Sequence, residues 1–308
     1  MTRPTLTRLA ITGVGRVLPP GGGGAWFDVA AELPGRGYGR LPHAIQYLLA
    51  AANRAVADRG GLPDAGRAAA IGTNNACTAM LHAMNRTIVE SDASRISPLA
   101  APFFVVSLPA GRLAIELDVR AFAMTLTSPR TAGLDALRTG ARALAAGRAG
   151  VLLAGAAEDR LPPEEPGHEH SDEGAVTLVC EDADRVPAGT AVRGYCETAA
   201  GFVGPDRPAG PVLERLWAAV ADGERHLPVQ AVLDDSPLGE RIADWLKQRA
   251  PGAAIVRAPA GCLTPVEWVA RLLGDAGVVL TAAAEGNIAL CRVTPPTQPA
   301  GPTERNRQ

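Results

Sequence analysis

Short apolar runs alternate with helix-patterned segments from one end of this chain to the other, and that alternation limits the folds open to it. Residues 9–14, 68–73, 121–127, 151–156 and 175–180 read as strands. The run 151–156 is unbroken in its apolar character, as in sheets covered on both faces. Between the strands, residues 41–58, 78–89, 110–117 and 133–146 carry apolar side chains at helical spacing. Leu134, Leu137, Ala141 and Leu144 form one such stripe, and Gly60 supplies a helix stop. The pattern then repeats. Helices are expected over 210–221, 238–246 and from 264, and strands over 229–233, 254–256, 278–281 and 288–293. Thr264 is the expected N-cap of its helix, Pro265 suits the first position, and Glu267 completes a capping box. Residues 98–106 read as extended or loop-like, and the acidic, proline-rich stretch 161–173 as a mobile surface loop. The alternation predicts an α/β fold with helix-covered sheets. Residues 1–190 and 191–294 are the expected similar halves, although no exact internal repeat is present, and the polar stretch 295–308 is an expected disordered tail.

Composition removes several function classes. A formal charge of -2 gives no general electrostatic reason to expect nucleic acid as a partner. No apolar run approaches the length that spans a bilayer, and the N-terminus lacks the longer apolar core of a signal peptide, so no membrane is expected. The five cysteines are scattered, without a C-x-x-C pair, which points to reduced thiols in a cytoplasm rather than to zinc or a disulfide framework. His168 and His170 stand two apart with no third ligand in view, so no metal is expected there. His43, His82 and His226 stand alone. Aromatic residues make up only 4% of the chain, so Ala, Val and Leu must build the core.

An ordered set of segments resembles the β-ketoacyl synthases of the thiolase superfamily. ITGVGRVLP, from Ile11, is similar to their opening strand and loop, and AAIGTNNA, from Ala69, to the strand and turn before a helix lining the acyl tunnel. The run from Ser97 to Asp159 resembles the family's dimer helix, dimer strand, nucleophile turn, following helix and next strand. DEGAVTLVCED, AVLDDSPLGE and VRAPAGC resemble three later segments of the family. The resemblance covers nearly the whole chain. It implies a thiolase-like layered αβαβα fold made of two similar halves, shortened between the halves and around residues 161–173.

The same comparison implies that the chemistry is missing. The family's nucleophilic cysteine corresponds to Arg130, its two histidines to Val232 and Cys262, and its lysine to Arg257. A guanidinium cannot form a thioester. It also puts positive charge at the positive end of the following helix, which needs an anion to answer it. Asp234 and Asp235 are the candidate partners, so Arg130, Asp234, Asp235 and Cys262 form the expected pseudo-site, with an Arg–carboxylate pair filling it. The resemblance implies pairing across a twofold axis through Ala121, Phe122, Ala123, Met124, Thr125, Leu126 and Thr127. It also implies an active ketosynthase as partner, an acyl carrier protein as a further contact, and no cofactor. In type II polyketide synthases such a subunit is a chain-length factor, although those commonly carry Gln where this chain has Arg130. The helix from Thr78 would line the tunnel with Ala79, Met80, Ala83 and Met84, a face that reads equally as ordinary core packing. Two other readings stand beside this one: an enzyme repurposed on the same fold through Cys262 or Asp235, and a homodimeric scaffold with no tunnel.

Overall fold

The computed structural model describes residues 6–20, 26–64, 66–205, 207–221, 227–257 and 259–296. His226 and the tail from residue 297 lie outside these. The strands are β1 (Leu9–Val17), β2 (Arg67–Gly72), β3 (Phe122–Leu126), β4 (Val151–Glu158), β5 (Gly174–Asp182), β6 (Gly194–Phe202), β7 (Val229–Leu233), β8 (Ala254–Arg257), β9 (Gly277–Ala282) and β10 (Asn287–Thr294). The helices are α1 (Val29–Glu32), α2 (His43–Arg59), α3 (Thr78–Glu90), α4 (Leu108–Glu116), α5 (Ala132–Ala145), α6 (Gly210–Val220), α7 (Pro237–Arg249) and α8 (Leu263–Arg271).

The ten strands hydrogen-bond in the order β3-β2-β4-β5-β1-β6-β10-β9-β7-β8. Within the first five the order is third, second, fourth, fifth, first, and the last five repeat it outward from the other end. The strand directions repeat as well. In each half four strands run in one direction, and the hairpin strand, β5 or β10, runs antiparallel to both its neighbours. The halves join where β1 pairs antiparallel with β6, Leu9 facing Cys196. The duplication absent at the level of residues is therefore complete at the level of topology.

Helices form three layers around the two halves of the sheet. Ile45, Leu48 and Leu49 of α2 pack with Ile71, Leu153 and Val179 on one outer face. Leu213 and Leu216 of α6, with Ile242 and Leu246 of α7, cover β7, β9 and β10 on the other. Between them α5 and α8 share one core, where Leu134, Leu137 and Leu144 meet Val266, Val269, Leu152 and Leu178. Neighbouring strand residues serve different layers: Leu153 faces α2 while Leu152 faces α5, as a period of two requires. This is the layered αβαβα arrangement that the resemblance implies.

Four local expectations differ from the structure. β6 was not foreseen, because GYCETAAGF has few strand formers; pairing with β10 along its whole length supplies what its composition lacks. The single turn α1, capped by the Asp28 carboxylate, was also missed. Pro98–Phe104 is a 3-10 helix rather than extended chain. The expected capping box on α8 does not form. The helix begins at Leu263, and a buried carboxylate from a distant segment, Asp172, takes the N–H groups of Leu263 and Thr264 at 2.8 and 3.2 Å. Thr264 donates its hydroxyl to the same group, and Glu267 is left to pair with Arg271.

The central layer leaves no slack where its two helices cross. A Cβ added at Gly133 would lie 2.4 Å from Val266 Cγ2 and 2.8 Å from the Cys262 carbonyl oxygen. Gly133→Ala is therefore expected to cost about 1–3 kcal/mol through overpacking, read as a lower urea midpoint at unchanged m-value. An unaffected midpoint would show that α5 and α8 do not touch there.

Candidate functional site

The chain turns from β3 into α5 through Thr127, Ser128, Pro129 and Arg130. The Thr131 N–H bonds the Pro129 carbonyl at 2.6 Å, closing a three-residue turn centred on Arg130, whose φ is 54°. A positive φ at a bulky residue is uncommon, and tight turns of this class are strained. Asn74, just after β2, braces the turn from both sides. Its Oδ1 accepts from the Arg130 N–H at 3.1 Å, and its Nδ2 donates to the Thr127 carbonyl at 3.2 Å. Residue 130 is thus presented at the start of a helix by a sharp, held strand-to-helix turn.

The side chain presented there is held by two contacts. Arg130 Nε lies 3.2 Å from Asp234 Oδ2, and Nη1 donates to the Pro259 carbonyl. Both partners of the ion pair are mostly shielded, at 21% and 14% exposure. Asp234 also accepts from Ser236 N and Ala284 N, each at 3.1 Å, and from the Ser236 hydroxyl. The anion that a cation at the positive end of α5 requires is thus Asp234. Asp235 does not join the pair; it is exposed, 3.3 Å from Arg257. Arg257 in turn holds Glu240 at 2.7 Å and the Asp234 carbonyl at 3.0 Å. Val232 is buried in β7, where it can move no proton.

Cys262 is the N-cap residue of α8 and is fully buried. Burial and the neighbouring Glu158 push its thiol well above the ordinary value, the opposite of what a reactive thiolate needs. The structure therefore brings Arg130 and Asp234 together, sets Cys262 nearby as an inert thiol, and leaves Asp235 outside.

Glu158, which sequence reasoning missed, is the centre of this region. It ends the otherwise apolar β4 and has no exposed surface. Its carboxylate accepts from Asn74 N at 2.8 Å, Asn75 N at 2.6 Å, Cys262 N at 2.9 Å and Thr73 Oγ1 at 3.1 Å. Burial, reinforced by the charge of Asp172, pushes Glu158 up to about 7 against the pull of those N–H groups. A signal was available. Two acidic residues close a wholly apolar strand, and in α/β sheets sites gather beyond the carboxyl ends of strands.

Other expected features change on inspection. Stretch 161–173 is anchored rather than mobile: Leu161 is buried, His168 Nδ1 contacts its carbonyl, and buried Asp172 caps α8. His43 does not stand alone but lies 3.7 Å from Asp159, whose hydrogen bond raises its pKa, and His82 lies 3.8 Å from Glu164. No group of three metal-ligating side chains occurs among the described residues, and no helix there is long and apolar enough to cross a membrane.

A second region is exposed rather than enclosed. α3 has no buried residue: Ala79, Met80 and Met84 are half-buried and Ala83 is exposed. β3 pairs with β2 on one side only and forms the outer edge of the sheet. Among the described residues, seven of the nine large exposed apolar side chains lie between positions 81 and 124, including Val89, Val106, Ile115 and Met124.

Comparison with known proteins agrees with this geometry. Residues 31–171 match the N-terminal domain of β-ketoacyl synthases. A curated relative, 3-oxoacyl-[acyl-carrier-protein] synthase 2 of Vibrio cholerae, is 27% identical over 141 residues, which cover 44% of this chain and 34% of the relative. The chain thus spans about a third of the length of the curated relative it matches. Two solved structures superpose with a TM-score of 0.75 over 94% of this chain and 99% of their own. One, at 15% identity, is a type II polyketide synthase acyl-carrier protein in complex with its ketosynthase bound to the hexaketide. The other, at 18%, is the ishigamide ketosynthase/chain length factor. A β-ketoacyl synthase from Burkholderia phymatum superposes at 0.70 with 14% identity over the same shares. The fold is that of thiolase-like ketosynthases.

The titration of Glu158 gives a test of its place in the network. An unfolded glutamate releases its proton near 4.5, the folded one near 7, so the folded form loses relative stability as pH rises through that window. Glu158→Gln removes this titration and leaves buried N–H donors facing an amide. It should destabilise the fold by about 2–4 kcal/mol in acid. The gap to the wild type should then narrow between about pH 4.5 and 7. Urea midpoints measured at several pH values check this; a gap independent of pH would sink it.

Proposed function

We propose that this chain is a non-catalytic, chain-length-factor-like ketosynthase subunit. In this reading it pairs with an active ketosynthase in type II polyketide or fatty-acyl chain elongation, works in the cytoplasm, and helps shape the acyl tunnel. The observation that carries the reading is the turn at Arg130. A strained nucleophile-presenting turn is kept, at a cost on the order of 1–3 kcal/mol, and yet it presents a guanidinium locked to Asp234. Strain at such a turn is useful where it aims a reacting group, and here it aims a plug.

The exposed face supports pairing. An edge strand with unpaired backbone groups beside α4 is a liability unless another subunit covers it. Ala79, Met80, Ala83 and Met84 would then line space shared with the partner rather than a tunnel closed within one chain. The two ketosynthase structures of like fold, one with an acyl carrier protein and one with a chain length factor, favour a ketosynthase as that partner and a carrier protein as a further contact. The inert surroundings of Cys262 and the exposure of Asp235 weigh against a repurposed enzyme.

Co-expression with a ketosynthase encoded beside it should yield a one-to-one complex on size exclusion with light scattering. A stable monomer that ignores the ketosynthase would refute the reading. After incubation with acyl-CoA and acyl-carrier thioesters, intact-mass measurement should find no adduct on residues 127–132. Arg130→Cys should leave condensation undetectable, because Val232 and buried Cys262 supply no proton-moving group; measurable condensation by that variant would show that the lost cysteine was the only deficit.

A further inference from the structure

Beside the free edge of β3 lies an open cavity of about 670 Å³. Phe122 and Met124 of the strand form its apolar wall, and Ala143 with Arg142 and Arg148 of the α5 end form the other. The single carboxylate of α5, Asp135, is already used by Thr131 and Arg138. Among the described residues neither Arg142 nor Arg148 has an acidic partner.

We propose that this cavity selects a partner that carries carboxylates beside its own edge strand, and so disfavours a second copy of this chain. The proposal rests on the ketosynthase-pairing reading and adds the chemistry of the partner. Antiparallel pairing of two β3 edges about an axis perpendicular to the sheet puts α5 of both subunits on the same face. Two identical copies would then bring four unpaired guanidiniums into one groove, where like charges repel. A ketosynthase with Asp or Glu at the corresponding positions of its helix gives an ion pair on each side of the same apolar contact. The charges set the choice of partner and the apolar wall supplies the area, a division of labour common at interfaces.

The test uses the full chain and the ketosynthase encoded beside it, with binding measured by calorimetry at low and high salt. Arg142→Glu with Arg148→Glu should weaken binding by about 30-fold at low salt and invert its salt dependence, because screening now relieves repulsion. The milder Arg142→Gln with Arg148→Gln should weaken it by about 5-fold. Circular dichroism confirms that each variant is folded, as expected for surface positions. In sedimentation the unmodified chain alone should stay monomeric, while an equimolar mixture with the charge-reversed variant should dimerise. Undiminished ketosynthase binding by the charge-reversed variant would overturn the acidic-partner proposal and leave the pairing intact. A stable homodimer of the unmodified chain through this edge would do the same. No ketosynthase binding by the unmodified chain, in any salt, would overturn the pairing itself.

Discussion

The buried carboxylates of Glu158 and Asp172 hold the two halves of this protein in register. Both belong to the first half, and both bind backbone N–H groups of the second: Glu158 takes that of Cys262, and Asp172 those of Leu263 and Thr264. These are the orphan donors at the start of α8. On its other side Glu158 collects Asn74 and Asn75, and through Asn74 it reaches the turn at Arg130. Burying two acids costs far more than burying two apolar groups unless donors converge on them. The donors here come from segments far apart in sequence, so the network is complete only when both halves have docked.

The same dependence fixes the frame around residue 130. The turn at residue 130, the N-terminus of α8 and the loop around Pro259 are all positioned by groups that also satisfy buried charge. Relaxing any one of them would strand donors or acceptors in a dry interior. Replacing the side chain displayed by the turn would remove the bond to the Pro259 carbonyl but leave the turn itself held, since Asn74 grips the backbone of Arg130 and not its side chain. The frame therefore needs no particular side chain at residue 130, provided any charge there is answered. Asp234 answers it, and it is itself fixed by Ser236 and by the Ala284 N–H.

What was legible in the sequence divides along the same line. Elements whose signal is local were readable: the α5 stripe of Leu134, Leu137 and Leu144, the Gly60 stop with its φ of 85°, and the apolar run of β4. Elements made by distant partners were not. β6 owes its existence to β10, and the start of α8 is set by Asp172 rather than by the local capping box. The pairing of Arg130 with Asp234 was legible only as a choice between adjacent acids. Which of Asp234 and Asp235 faces inward depends on how the chain leaves β7, and that follows from the Ser236 turn and not from residue type. Glu158 was overlooked because a charged residue ending an apolar strand is usually a solvated terminus.

The apolar face on α3, α4 and β3 escapes local reading for a different reason. Helical spacing reports that a face will be covered, not whether the cover comes from the same chain. Met80 and Met84 look like core residues by periodicity, and yet among the described residues they are only half-buried. The structure separates the two cases by exposure: α2 and α5 sink most of their apolar residues below the surface, whereas Ile88, Val89, Val106 and Ile115 remain open to water. Each fully covered side chain of that size would contribute about 1.5–3 kcal/mol. A face with that much unused burial has the apolar area that an association surface needs.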